Sequence, residues 1–155
     1  MSIFPTRILL ATDGSKEAEL AARTAVDIAA TTNSELHMVT VARHEYAHVY
    51  DLAEEPGDVQ KSLYEAIERK ARELLDEQVK KIEQSGGTIP QEVHLLMRGH
   101  PDREIVHLAD EIGAGLIVIG SRGQGGVRRA LMGSVSNSVV RHAHCPVLIV
   151  REEKR

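Results

Sequence analysis

RILLATDGS, Arg7 to Ser15, decides the fold. Arg7 to Ala11 is a short apolar run, and Thr12-Asp13-Gly14-Ser15 then supplies residues that stop a strand, with Asp13 or Ser15 placed to cap a following helix. From Lys16 to Thr31 alanines at 18, 21, 22, 25, 29 and 30 join Leu20, Val26 and Ile28 in a small-residue face suited to close packing on a sheet. Strand then helix is the unit, and the chain repeats it. Leu36 to Val41 (LHMVTV) reads as a second strand, buried on both faces. Pro56-Gly57 separates an aperiodic stretch from a long amphipathic helix over residues 58–84. There Leu63, Ile67, Ala71, Leu74, Leu75, Val79 and Ile82 recur at helical spacing, and Gly86-Gly87 ends the run. Glu92 to Met97 is a third strand, Pro101 to Ile112 a helix with proline in its first turn, and Leu116 to Gly120 a fourth strand. Gly133 to Ala143 makes the last helix and Val147 to Arg151 the last strand. Alternation of this kind implies an α/β fold, a doubly wound parallel sheet joined by right-handed crossovers with helices on both faces. Ligands of such sheets lie beyond the carboxyl ends of the strands, where the winding reverses.

Composition sets bounds on function. A chain of 155 residues reads as one domain over 1–155, without repeats or low-complexity tracts. The single cysteine, Cys145, excludes an intramolecular disulfide, and as it precedes Pro146 at the start of the last strand it reads as a small buried hydrophobe. With no secretory leader evident, a cytoplasmic protein is expected. The apolar runs are far shorter than the roughly 20 residues a membrane helix needs, so no membrane association is expected. A net charge of −4 argues against a general nucleic-acid surface. Yet residues 112–151 contain no acid while holding Arg122, Arg128, Arg129, Arg141 and Arg151. That segment serves either an anion or solvent.

The fourth strand runs into GSRGQGGVRRALMGS, Gly120 to Ser134. A glycine at a strand end lets a ligand approach the backbone, one inside the loop permits positive φ, and Gly133-Ser134 at a helix start presents unpaired N–H groups beside a hydroxyl. The helix dipole adds positive potential there, and Ser134 and Ser136 add hydroxyls, which together make a cradle for phosphate. The loop is neither a Walker loop nor a dinucleotide fingerprint, because G-x-x-x-x-G-K-[ST] is absent and Gly123-Gln-Gly125 is not followed by x-x-G.

Gly120, two residues, Gly123, nine residues, Gly133 and Ser134 closely resemble the ATP-binding signature of the universal stress protein family. RILLATDGS, the LHMV strand, the Arg98-Gly99-His100-Pro101 turn, LIVIGSRG and the closing HCPVLIV extend the resemblance over nearly the whole chain. It implies five strands in the order 3-2-1-4-5, a homodimer, and ATP with Mg²⁺ or Mn²⁺. By matching motif, Ala11, Thr12 and Asp13 would line the cleft, with Asp13 near the ribose or metal. Met38 and Val39 would meet adenine, and Gly120, Gly123, Gly133, Ser134, Val135 and Ser136 the ribose and phosphates. Many members carry Asp where this chain has Gly115, at the opposite end of the fourth strand. A last strand left at the sheet edge would expose unpaired backbone groups, so a dimer through Val147 to Arg151 is also a physical expectation.

HEYAH, His44 to His48, competes for attention because H-E-x-x-H on a helix forms a zinc-protease site. No helix, third ligand or cleft accompanies it clearly in the sequence, and with 8 histidines the pattern would arise by chance in roughly 4% of shuffled chains of this composition, the false-positive risk of any short motif. A weak surface metal site from His44 and His48 is the milder reading. His37, inside the second strand, reads as a hydrogen-bonded core residue and not as a ligand. Asp13 has helix capping as its alternative role, and Arg122, Arg128 and Arg129 read as solvated. What the resemblance implies for function is an ATP-binding, homodimeric sensor or regulatory module acting on an unknown protein partner. Its rivals are a slow ATPase with its base at His44 or Glu45, and an interaction module that binds no ATP.

Overall fold

Apolar side chains alternate along every strand, and that alternation builds two cores, one on each face of a single sheet. The computed structural model describes residues 1–42, 55, 57–123 and 132–152. Its elements are β1 (Arg7–Ala11), α1 (Lys16–Thr32), β2 (Glu35–Val41), α2 (Asp58–Gln84), β3 (Glu92–Leu96), α3 (Pro101–Ile112), β4 (Ala114–Gly120), α4 (Ser134–His142) and β5 (Val147–Val150). All strands are parallel, in the order β3-β2-β1-β4-β5. The winding runs outward from β1 to β3 and then returns to β4 on the other side of β1. Right-handed crossovers travelling in opposite directions put their helices on opposite faces.

Ile8, Leu10, Leu36, Met38 and Val118 accordingly form one core with α1 and α2, while Leu9, Val39, Ile117 and Ile119 form the other with α3 and α4. The alanine face of α1 is buried at Ala18, Ala21, Ala22, Ala25 and Ala29, and small side chains let the helix sit close to the sheet. Ser15 caps α1, its Oγ accepting from the Ala18 N–H at 3.2 Å. Asp13 instead accepts from the Ser15 N–H at 3.0 Å, just ahead of the helix. Cys145 packs against the α3/α4 core, where burial raises its pKa.

The departure at Gly115 has a local cause. The register between β1 and β4 slips there, and a Cβ on Gly115 would collide with the Thr6 side chain. An aspartate therefore does not fit without moving Thr6.

Helix α2 covers the residues its spacing predicts, but the sheet buries only part of it. Its 27 residues span about 40 Å at 1.5 Å per residue, roughly twice the reach of a strand of five to seven residues. Only Leu75, Gln78 and Ile82 are buried, so the second half covers the sheet and the first half overhangs it. Among the described residues no helix is long and apolar enough to cross a membrane.

Candidate functional site

An open cavity of about 630 Å³ lies beyond the carboxyl ends of β1, β2 and β4. Ala11, Thr12, Asp13, Val39, Gly120, Gly123, Gly133, Ser134, Val135 and Ser136 all line it, so segments far apart in sequence meet at the point where the winding reverses. Met38 is the exception. Alternation along β2 sends it to the α1/α2 core, where it is fully buried, and sends Val39 toward the cavity, so the placement of Met38 at a ligand is corrected.

The strand ends are fixed first. Thr12 donates its N–H to the Val39 carbonyl at 2.9 Å and accepts the Thr40 hydroxyl on its own carbonyl at 2.7 Å, which ties the end of β1 to the end of β2. Both threonines are buried, and Thr12 thus serves the rim as scaffold.

The mouth of the glycine loop is fixed next. Ser121 donates its N–H to the Val150 carbonyl at 2.8 Å, and its own carbonyl accepts the Gly133 N–H at 2.6 Å and the Ser136 hydroxyl at 2.7 Å. The two ends of the loop are therefore joined at Ser121 and Gly133. This corrects one expectation, because the Ser136 hydroxyl is spent inside the protein, on Ser121 and at 3.1 Å on the Gly133 carbonyl. Ser134, by contrast, is exposed on the cavity.

The residue that holds this mouth from behind is Glu17, which the sequence reading passed over. The residue is 6% exposed, and its carboxylate accepts the Ser121 hydroxyl, the Arg122 N–H at 2.7 Å and the Arg122 guanidinium at 3.2 Å. Burial raises its pKa, but the Ser121 hydrogen bond and then the Arg122 interactions outweigh that and hold it below the ordinary carboxylate value. A glutamate in the first turn of a helix whose next residues are buried alanines was the available signal. Arg122 lines the cavity but engages Glu17, whereas Arg128 and Arg129 lie outside the described residues. HEYAH also lies outside them.

Each glycine of the signature answers to a protein neighbour. A Cβ on Gly120 would sit 2.9 Å from the Glu17 backbone, so this glycine admits the first turn of α1 against β4. A Cβ on Gly123 would strike Asp13 Oδ2, and one on Gly133 would sit 3.2 Å from the Ser121 carbonyl oxygen. The spacing shapes the cavity by letting backbone meet backbone.

Helix α4 then opens into this space with Gly133 as its N-cap, which offers no side-chain acceptor. The N–H groups of its first turn have no intrahelical partner, and the macrodipole makes that end positive. The starts of α1 and α3, at Ser15 and Pro101, border the same cavity. The overhang of α2 contributes Ile67, Ala71 and Leu74, with the cationic Lys70 beside them. Such a space suits a ligand with an anionic end and a flat apolar end.

The family model for universal stress proteins matches residues 5–151. The chain belongs to that family. It is 32% identical over 150 residues to a universal stress protein of Methanocaldococcus jannaschii, covering 96% of this chain and 84% of that one. Among solved structures it is similar to universal stress protein UspA from Lactobacillus plantarum, with a TM-score of 0.77, 26% identity, and coverage of 96% and 99%. A universal stress protein in complex with cAMP is similar at a TM-score of 0.65 and 28% identity, with coverage of 96% and 98%. One from Archaeoglobus fulgidus in complex with dAMP is similar at 0.63 and 26%, with coverage of 96% and 99%.

Proposed function

We propose that the cavity binds ATP, and that this universal stress protein is a homodimeric, nucleotide-dependent sensor or regulatory module of the stress response. The observation that carries the reading is one opening shared by the start of α4, capped only by Gly133, and by Asp13 standing against Gly123. Phosphate oxygens would accept from the N–H groups of Ser134, Val135 and Ser136 and from the Ser134 hydroxyl, with the dipole of α4 behind them. The base would lie between Val39 and Val41 on β2 and the apolar residues of α2.

Asp13 fits a divalent ion. Its carboxylate borders the cavity with Oδ2 beside Gly123, and Mg²⁺ or Mn²⁺ takes one or two carboxylates together with phosphate oxygens. When bound, the ion would supply charge neutralisation between phosphates. Among the described residues Asp13 is the cavity's sole carboxylate, and no histidine lines it. A site with so few proton acceptors favours binding over turnover, and slow hydrolysis would need a base from the 42–57 segment, such as His44 or Glu45.

Similarity to proteins holding dAMP and cAMP supports a monophosphate as the second reading. Mass spectrometry of ligand released from the freshly purified protein, with calorimetry of Mg-ATP against AMP, separates the two. ATP recovered and bound more tightly than AMP is expected; no heat from either at millimolar strength would sink the proposal.

For the dimer the support is β5, an edge strand whose four residues are all only partly buried. Pairing across a two-fold axis would satisfy its free backbone edge. Sedimentation should give a dimer at micromolar concentration. The cytoplasm and an unidentified protein partner complete the proposal.

A further inference from the structure

We propose that the amino end of the sheet carries a second site, for a divalent transition metal of the zinc class, with His37, Glu92 and His94 as its protein ligands. Strands β2 and β3 pair in parallel with Glu92 opposite His37 and His94 opposite Val39. Since side chains alternate along a strand, the three project from one face, the α3 side, with His94 beside the cavity-lining Val39 and His37 and Glu92 nearer the amino ends of their strands.

Their ligand atoms form a small triangle. His37 Nδ1 lies 3.4 Å from His94 Nε2 and 3.8 Å from Glu92 Oε2, and His94 Nε2 lies 3.5 Å from the same Glu92 oxygen. Ligands at 2.0–2.1 Å around a tetrahedral zinc stand roughly 3.3–3.5 Å apart, so the triangle closes on such an ion with shifts of a few tenths of an ångström. Two imidazoles and a carboxylate suit zinc, copper or nickel, while calcium and magnesium prefer oxygen throughout.

Behind the first ligand stands a support. His37 Nε2 meets Glu35 Oε2 at 3.4 Å, and Arg7 Nε donates to that same oxygen at 2.9 Å. A carboxylate on the far nitrogen of a ligating histidine fixes ring orientation and raises basicity. The two rings stack with centroids 5.7 Å apart and planes 11° from parallel, which holds the donor atoms together. His37 is buried while Glu92 is exposed and His94 one-fifth exposed, so the site has a fixed inner ligand and an open side for water.

The test is equilibrium dialysis of the EDTA-treated full chain against Zn²⁺, without nucleotide, with Co²⁺ absorption as a geometric readout. One zinc per chain at micromolar concentration is expected, with a tetrahedral cobalt spectrum. His94→Ala, on the exposed edge strand, should weaken binding by about a hundredfold, and Glu35→Gln by about tenfold, while circular dichroism shows each variant folded. A His44→Ala/His48→Ala double variant should bind as the parent does. Zinc affinity unchanged in His94→Ala, zinc binding abolished in the double variant, or no uptake by the parent would each overturn the proposal.

Discussion

The two proposed sites on this one sheet draw on different chemistry. At the carboxyl end the donors are backbone N–H groups at the start of α4, arranged by glycines and held by Ser121 and Glu17. At the amino end the groups are side chains, His37, Glu92 and His94, brought together by cross-strand register. A backbone site needs small residues at fixed intervals in one loop and therefore leaves a contiguous pattern in the sequence. A cross-strand site needs only that two strands pair in one register, and it leaves none. HEYAH is a contiguous pattern too, but it lies outside the described residues, and the cluster with the right geometry uses other histidines.

The sharpest way to break this comparison is Gly123→Asp. Its Cβ already collides with Asp13 Oδ2, and the added carboxylate would meet an incoming polyanion. Mg-ATP affinity should fall by about a hundredfold or more, near 3 kcal/mol, measured by calorimetry. Zinc dialysis on the same sample should be unchanged. Loss of both affinities would mean that the two ends are not independent.

Glu17→Ala should have the next largest effect. Removing the carboxylate takes away the Glu17 acceptor of the buried Ser121 hydroxyl and of the Arg122 N–H, at a cost of about 2 kcal/mol, seen as a melting temperature lower by roughly 4–8 °C. Because folding lowers the Glu17 pKa, its contribution is present above the ordinary carboxylate value and disappears as pH falls through the lowered one. The gap between the parent and Glu17→Gln should therefore be widest near neutrality and close from about pH 5 downward. An equal gap at all pH values would show that shape, not charge, holds the loop.

Ser138→Ala probes the rear of α4 and should do less. Its hydroxyl donates to Asp102 Oδ2 at 2.6 Å, the main reason the Asp102 pKa lies low, and links α4 to α3. A destabilisation of about 1 kcal/mol is expected, since the pair is only part-buried. Nucleotide affinity should stay within about twofold if the front of α4 alone carries the phosphates.

Much of the fold was legible because periodicity is local. RILLA and LIVIG declare buried strands, the alanines of α1 declare a close-packed face, and strand–helix alternation restricts the handedness of each connection. The cavity was legible to the extent that its rim belongs to motifs. Met38 was misplaced because neighbours in a strand face opposite ways, and the choice between it and Val39 depends on which face the return to β4 leaves open. Glu17 was missed because an acid in a helix's first turn is ordinary in sequence, and its role exists only once Gly120 lets α1 reach β4. The glycines were read as room for a ligand, whereas Gly120 and Gly133 chiefly make room for protein.

The overhang of α2 is the subtlest part of the carboxyl end, because apolar residues at helical spacing predict burial without saying by what. Ile67 lines the cavity and is only partly buried, in contrast to Leu75 and Ile82 two turns and more along the same helix. Ile67→Gln should thus shift stability by less than about 0.5 kcal/mol, as a surface substitution does. The same change in Leu75 should cost several times more. Nucleotide affinity in Ile67→Gln should drop by about threefold to tenfold, the scale expected when a base keeps only part of its apolar cover. If stability falls instead and affinity does not, this stretch of α2 belongs to the core, and the cavity is walled by strands alone.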